Sequence, residues 1–147
     1  MGSLMKFAIV GIGNKLKADD GFGPEVIRKL KKIVKNDILL INAGDVPENF
    51  LKEVVDFNPS KILIIDTVEF KGKDGEIKIF DSNEIDFKSF STHKNSLFVD
   101  YLKKSLRCEI KLIGIKPKTT EFGKKMSKEI KNGIEKAVEI ILTQINY

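Results

Sequence analysis

Apolar runs alternate with amphipathic segments through the first half of the chain. Residues 6–13 (KFAIVGIG), 37–42 (DILLIN) and 61–66 (KILIID) are almost continuously apolar. Such runs are typical of strands that are buried on both faces, as in a parallel sheet. The segments between them, residues 23–34 and 45–57, carry apolar residues at helical spacing and therefore predict helices.

The pattern changes in the second half. Residues 75–81 alternate apolar and charged positions, which predicts a half-exposed, antiparallel edge strand. Residues 91–106 predict a helix, residues 108–115 another strand, and residues 126–145 a long terminal helix with apolar residues along one face. The predicted order is βαβαβ followed by an edge strand, a helix, a strand and a helix.

Local signals mark the starts of three helices. Pro24 suits a first helical turn, where its missing amide hydrogen is not needed. Asp45 stands three residues before Glu48, the spacing of a capping box, so the second helix is predicted to begin there. Ser91 or Thr92 is the predicted cap of the third.

This order predicts an α/β fold in three layers, αβα. Its sheet is expected to be mostly parallel and twisted, with about five strands and one antiparallel edge strand. The chain shows no linker, repeat or low-complexity segment, so residues 1–147 are expected to form a single domain. In the first helix, Val26, Ile27, Leu30 and Ile33 are the expected buried stripe.

The composition of the chain limits the classes of protein to which it can belong. Hydrophobic residues make up 41% of the 147 residues and charged residues 32%, as in a soluble globular protein. No run approaches the roughly 18 apolar residues of a membrane helix. The single cysteine, Cys108, excludes an intrachain disulfide and a cysteine metal cluster, and fits a reducing cytoplasm. Abundant lysine, glutamate and isoleucine favour a thermophilic source, and a monomer is expected.

The net charge of +5 does not indicate nucleic-acid binding. Lysines are interleaved with aspartate and glutamate along the chain, and no basic stripe carries aromatic residues. A solvated, lysine-rich surface is the favoured interpretation, and neither nucleic acid nor membrane is an expected partner.

Three polar features fall where chemistry is expected. Ligands of an open parallel sheet bind beyond the carboxyl ends of its strands. The pair Asp19 and Asp20 follows the first strand, Asp66 ends the third, and His93, the single histidine, lies near the start of a helix.

Phosphate binding fits this loop poorly. Residues 11–16 (GIGNKL) supply G-x-G, but Leu16 stands where a dinucleotide-binding loop has its third glycine. Two adjacent carboxylates would also repel a pyrophosphate.

A divalent cation suits the carboxylates better. Asp20 and Asp66 are expected to face one crevice, where their repulsion would disfavour ionisation of both. A metal removes that conflict, and His93 would complete a set of two carboxylates and one imidazole. Such ligands suit nickel, zinc, manganese or iron.

Simpler interpretations stay open at this point. Asp19 or Asp20 could cap the first helix or form an Asx turn, Asp66 could be an ordinary residue at a strand end, and His93 could lie on the surface. The three residues are far apart in sequence and form no compact ligand motif.

A resemblance bears on this choice. The segments GIGNKLKADDGFGPE (11–25), AGDVPENF (43–50), LIIDTVEFKGKDGEIKIFD (63–81), STHKNSL (91–97) and LIGIKPK (112–118) occur in this order. Together they resemble the hydrogenase maturation endopeptidases, in particular the branch that processes hydrogenase 3-type NiFe-hydrogenases. The resemblance covers nearly the whole chain.

The resemblance implies a hydrolase that removes a C-terminal extension from the NiFe-hydrogenase large-subunit precursor once nickel has been inserted. It implies that Asp20, Asp66 and His93 contact the metal and carry catalysis. The nickel would be supplied by the precursor, other divalent metals being able to substitute, and Asp19 would orient the loop.

Two positions depart from the family pattern. Ala18 stands where relatives often have glycine, and alanine resists a positive φ if the loop requires one. Residues 42–45, Asn-Ala-Gly-Asp, replace a frequent Asp-Gly-Gly near the same crevice.

Alternative functions on the same fold are a non-catalytic nickel-checkpoint chaperone and a generic metal-dependent peptidase or aminohydrolase. A structural domain without an active site would need three ligands at one edge by coincidence. A cysteine protease is disfavoured, because Cys108 begins a strand that looks buried and His93 is the single imidazole. The metal itself would mark the substrate, act as a Lewis acid or polarise a water.

Overall fold

The computed structural model describes residues 5–35, 37–82 and 94–147. Within these residues lies one five-stranded sheet, of order β2-β1-β3-β5-β4. Its strands are β1 (Phe7–Ile12), β2 (Ile38–Gly44), β3 (Lys61–Thr67), β4 (Ile77–Asp81) and β5 (Glu109–Ile115). The pairs β1–β2, β1–β3 and β3–β5 are parallel, and β4 pairs antiparallel with β5 at the edge.

Helices cover both faces of the sheet. They are α1 (Phe22–Leu30), α2 (Leu51–Phe57), α3 (Lys94–Ser105) and α4 (Lys128–Gln144). Helices α1 and α4 share one apolar cluster with the sheet, and α2 and α3 share the other.

Neighbouring residues of β1 show how the two clusters divide the sheet. Ile9 belongs to the cluster of α1 and α4, whereas Val10 belongs to that of α2 and α3. Both side chains are fully buried, because successive strand residues point to opposite faces and both faces are covered. The predicted three-layer α/β fold with an antiparallel edge strand is therefore confirmed.

The first helix is shorter than its apolar pattern predicts. Helix α1 ends at Leu30, after which the Ile33 amide donates to the Leu30 carbonyl in a tighter, three-residue turn. This turn rotates Ile33 away from the core and leaves its side chain 41% exposed. Ile33 was thus wrongly included in the buried stripe.

The predicted capping box at Asp45 is also wrong. A 3₁₀ turn, Pro47–Phe50, precedes α2; its cap position is Val46, with no side-chain cap hydrogen bond. One oxygen of Asp45 instead accepts from the side-chain amide of Asn14, at 3.0 Å. A partner 31 residues away has replaced the local one. The predicted caps of α3, Ser91 and Thr92, lie outside the described residues.

Helix α1 begins unusually close to the sheet. A Cβ on Gly23 would lie 2.4 Å from the Ile12 carbonyl oxygen and 2.6 Å from that of Ile65. Any side chain there would push the start of the helix off the ends of β1 and β3. Gly23 therefore sets the position of the loop that precedes α1. No helix among the described residues is long and apolar enough to span a membrane.

Candidate functional site

The carboxyl ends of β1 and β3 meet the loop that leads into α1. This loop ends in a 3₁₀ turn, Ala18–Gly21, whose residues are all buried. The turn contains both acidic residues of the loop, and β3 contains Asp66 near its carboxyl end. Three of the predicted polar residues are therefore brought to the same edge of the sheet.

Asp20 is held by two uncharged donors. Its Oδ2 accepts from the Asn14 amide at 2.8 Å, and its Oδ1 accepts from the Thr67 hydroxyl at 3.1 Å. Asp20 is buried and only 8% exposed. The two bonds fix the carboxylate without neutralising its charge.

Asp66 directly precedes Thr67 in β3 and is fully buried. Its Oδ1 accepts from the Thr67 amide at 2.8 Å. Thr67 thus donates its amide to Asp66 and its hydroxyl to Asp20. One residue of β3 therefore positions both carboxylates.

This arrangement suits a cation. Two buried carboxylates that share Thr67 as a hydrogen-bond donor concentrate negative charge at one edge of the sheet, and a divalent metal bound there would offset that charge. Carboxylate oxygens of this kind are common ligands of first-row transition metals. Among the described residues, no group of three or more histidine, cysteine or acidic side chains is arranged to hold a metal. The predicted third ligand, His93, lies outside the described residues.

Asp19 has a different role from its neighbour. Among the described residues, its carboxylate accepts from four donors: the amides of Lys118, Thr119 and Ser127 and the hydroxyl of Ser127. The residue is fully buried, and its own amide donates to the Thr119 carbonyl at 3.0 Å. Asp19 therefore joins the loop before α1 to the segment between β5 and α4.

The backbone at Ala18 has a positive φ of 50°. This left-handed conformation is easy for glycine and costs an L-residue with a Cβ roughly 1–2 kcal/mol. The loop therefore does require the positive φ that alanine was expected to resist, and the alanine at this position is strained. The turn that carries Asp19 and Asp20 holds it in place.

Asn14 extends the site toward β2. Its backbone amide binds Asp20 and its side-chain amide binds Asp45, so it lies between two carboxylates. A cavity of about 210 Å³ opens beside it, between the end of β2 and the loop that joins β1 to α1 (residues 13–21, the β1 loop). Asn42 and Gly44 line this cavity, which places the 42–45 segment next to the candidate site.

Sequence reasoning missed three of these residues. Thr67 directly follows Asp66, but nothing in the local pattern shows that its hydroxyl reaches Asp20. Asn14 and Asp45 come together from the loops that follow β1 and β2. The one available signal for Thr67 was its position: it is a polar residue immediately after Asp66, the predicted end of the third strand.

The structure disfavours Cys108 as a nucleophile. It is half-buried just before β5, and burial raises the pKa of its thiol. The neutral thiol is therefore favoured at neutral pH.

Comparison with known proteins decides the family. The family model described as hydrogenase maturation protease matches residues 24–144. The chain belongs to the hydrogenase maturation proteases. It is therefore a hydrolase of the endopeptidase class.

Individual members of the family are similar over nearly their whole length. A putative hydrogenase maturation protease of Methanocaldococcus jannaschii is 40% identical, over 93% of this chain and 86% of its own. The hydrogenase 3 maturation protease of Escherichia coli is 30% identical, over 89% and 85%. The crystal structure of the NiFe-hydrogenase maturation protease HycI from Thermococcus kodakarensis has a TM-score of 0.86 at 31% identity, covering 97% of this chain and 94% of that one.

The candidate site extends beyond the range that the family model matches. Asp66 and His93 lie inside the part of this protease that the family model matches, and Asp19 and Asp20 precede it. The resemblance of this loop to the family rests on the segment 11–25 itself. Its geometry therefore has to be tested by substitution.

Proposed function

We propose that this protease removes the C-terminal extension of a NiFe-hydrogenase large-subunit precursor after nickel has been inserted. The observation that carries the proposal is the buried pair Asp20 and Asp66, both bound by Thr67 at the carboxyl edge of the sheet. The names of relatives, which include a hydrogenase 3 maturation protease, support the choice of substrate.

The nickel belongs to the substrate in this proposal. Asp20 and Asp66, with His93 as third ligand, would receive a nickel ion that the precursor already holds. Two carboxylates and an imidazole leave coordination positions for ligands from the precursor. A precursor without nickel would leave the negative charge of the two carboxylates with no cation to offset it.

Docking of the nickel positions the scissile bond. Hydrolysis adds a water oxygen to the carbonyl carbon and breaks the C–N bond. The new carboxylate remains on the large subunit, and the released extension takes the proton on its amine. The residues of the protease supply orientation, because a correctly placed bond gains much of its reactivity from position alone.

A cleavage assay on matched precursors tests the proposal. Nickel-loaded and nickel-free large-subunit precursor would be incubated with the protease, and the mass of the large subunit measured. We expect a C-terminal peptide to be lost from the nickel-loaded form alone, and Asp20→Ala to prevent the loss. Equal processing of both forms would contradict nickel recognition.

The same assay separates the two alternatives. A nickel-checkpoint chaperone would bind the nickel-loaded precursor and leave its mass unchanged. A generic metal-dependent peptidase would cleave short peptides after direct addition of metal, without any precursor.

A further inference from the structure

A groove lies on the far side of the loop that carries Asp20. It has a volume of about 700 Å³, within the range of about 300–1,000 Å³ typical of ligand clefts. Its walls are the β1 loop, helix α1, the first turns of α4 and the segment just before α4. Leu16, Met126 and Ile134 line the groove with apolar side chains. Leu16 is 57% exposed.

The charge of this groove is strongly one-sided. A single acidic residue, Glu25, lines it, against six basic ones: Lys15, Arg28, Lys29, Lys124, Lys125 and Lys131. The whole chain has 26 basic and 21 acidic residues, so this surface departs clearly from the average. Folding has therefore collected basic residues that are mixed with acidic ones along the sequence.

Half of these cations are already paired. Arg28 pairs with Glu25, Lys29 with Glu135 and Lys124 with Glu121. Within the described part of the chain, Lys15, Lys125 and Lys131 make no ion pair. These three exposed lysines are available to an anionic ligand.

The rim of the groove is tied to the candidate site through the main chain. The Gly123 amide donates to the Leu16 carbonyl at 2.9 Å, and the Asp19 amide donates to the Thr119 carbonyl at 3.0 Å. Ala18 and Gly21 line the groove, while Asp20, between them in the chain, faces Asn14 and Thr67. One short turn thus separates the groove from the carboxylate pair.

We propose that this groove binds an acidic, extended segment of the protein substrate that also carries a large apolar side chain. The free lysines match the carboxylates of such a segment, and Leu16, Met126 and Ile134 match its apolar residue. A purely polyanionic ligand would gain nothing from the apolar surface. The inference rests on the proposed function for the identity of the protein substrate.

Charge reversal with a matched control tests the groove. The test variant is Lys15→Glu/Lys125→Glu/Lys131→Glu. The control is Lys35→Glu/Lys104→Glu/Lys136→Glu, which changes the net charge equally at exposed positions outside the groove. Thermal unfolding would first show that both variants are folded.

Two quantities would be measured with nickel-loaded precursor. They are the KM and kcat for processing, and the Kd from fluorescence anisotropy of labelled precursor at low and high salt. We expect the groove variant to raise KM and Kd about tenfold, with kcat unchanged and the salt dependence largely lost. The control should stay within about twofold of the wild type. Leu16→Ala should weaken binding at both salt concentrations.

Failure of this inference is distinguishable from failure of the proposed function. Normal cleavage by the groove variant, with unchanged KM, would overturn the groove and leave the function intact. Precursor binding that depends on the three lysines, without cleavage by the wild type, would overturn the function and leave the groove intact. Lysine-dependent retention of a duplex oligonucleotide, with precursor binding unaffected, would assign the groove to nucleic acid and overturn the inference.

Discussion

The Thr67 hydroxyl donates a hydrogen bond to Asp20 Oδ1, while the Thr67 amide binds Asp66 Oδ1. One residue therefore contacts both carboxylates of the candidate site. Its amide bond would survive any substitution except proline, whereas its hydroxyl bond depends on the side chain. This difference allows the position of Asp20 to be changed without removing either carboxylate.

Replacing Thr67 by valine should impair processing and leave the fold intact. Valine keeps the branched shape of threonine but removes the donor to Asp20, a bond to a charged group worth roughly 1.5–3 kcal/mol. We expect a fall in kcat of at least about tenfold, since 1.36 kcal/mol corresponds to a factor of ten. Thr67→Ser, which keeps the hydroxyl, should restore most of the rate; equal rates for both variants would show that the bond is dispensable.

The two neighbouring aspartates should give opposite results when changed. Asp19→Ala would leave the amides of Lys118, Thr119 and Ser127 without their acceptor, and should lower the free energy of unfolding by about 3 kcal/mol or more. Asp20→Ala removes the acceptor of two donors, the Asn14 amide and the Thr67 hydroxyl, but it also removes buried negative charge, so its loss should be smaller, about 1–2 kcal/mol. Urea unfolding of the metal-free proteins measures both.

Processing assays complete this comparison. Asp20→Ala should abolish cleavage although the variant is well folded. Asp19→Ala should retain cleavage at temperatures where it remains folded, because its carboxylate does not contact the candidate site. Loss of activity in a demonstrably folded Asp19→Ala protein would place Asp19 in the site.

The hydrogen-bond partners of the two aspartates explain why sequence alone could not separate Asp19 from Asp20. The two have the same chemistry and adjacent positions, and the donors that distinguish them come from about 100 residues later in the chain. The strands were predictable, because burial on both faces makes Phe7–Ile12 and Lys61–Thr67 apolar over most of their length.

Features that depend on contacts between distant segments were not predictable. Asp45 has a good local capping pattern, but Asn14 binds it instead. The basic groove brings Lys15 together with Lys125 and Lys131, which are far from it in the sequence. The placement of His93 remains a prediction, since that residue lies outside the described part of the chain.

Substituting the strained alanine of the loop should be unusually harmless. Ala18→Gly relieves a positive φ worth about 1–2 kcal/mol, which offsets the extra backbone entropy of glycine and the lost methyl group. We expect the free energy of unfolding to change by less than about 1 kcal/mol. Ala137→Gly, at a buried position of α4, gains no such relief and should lose more than about 1 kcal/mol.

The free protease should bind nickel weakly. In the proposed site Asp20, Asp66 and His93 would supply three ligands at most, so part of the coordination would come from the precursor. Isothermal titration of the isolated protein with nickel should show little saturable heat at micromolar concentrations. Tight binding by the wild type, lost in Asp20→Ala, would instead identify a resident metal and favour the generic peptidase.

Cysteine chemistry should be dispensable for cleavage. Burial raises the pKa of the Cys108 thiol, so the reactive thiolate forms only at more alkaline pH than for an exposed cysteine. Iodoacetamide should modify the native protein slowly near neutral pH and faster as the pH rises above that raised pKa. Cys108→Ala should process precursor at the wild-type rate, and a large loss of rate would reopen the cysteine-protease interpretation.

Asp19 binds mainly main-chain amides, and this has a consequence for divergence among related proteases. The amides of Lys118 and Thr119 would be present with any residue except proline, so these positions can vary without loosening the turn beside Asp20. Gly123, on the same segment, likewise uses its backbone to reach the β1 loop. Side chains along this segment can therefore be exchanged while the carboxylates of the candidate site stay in place.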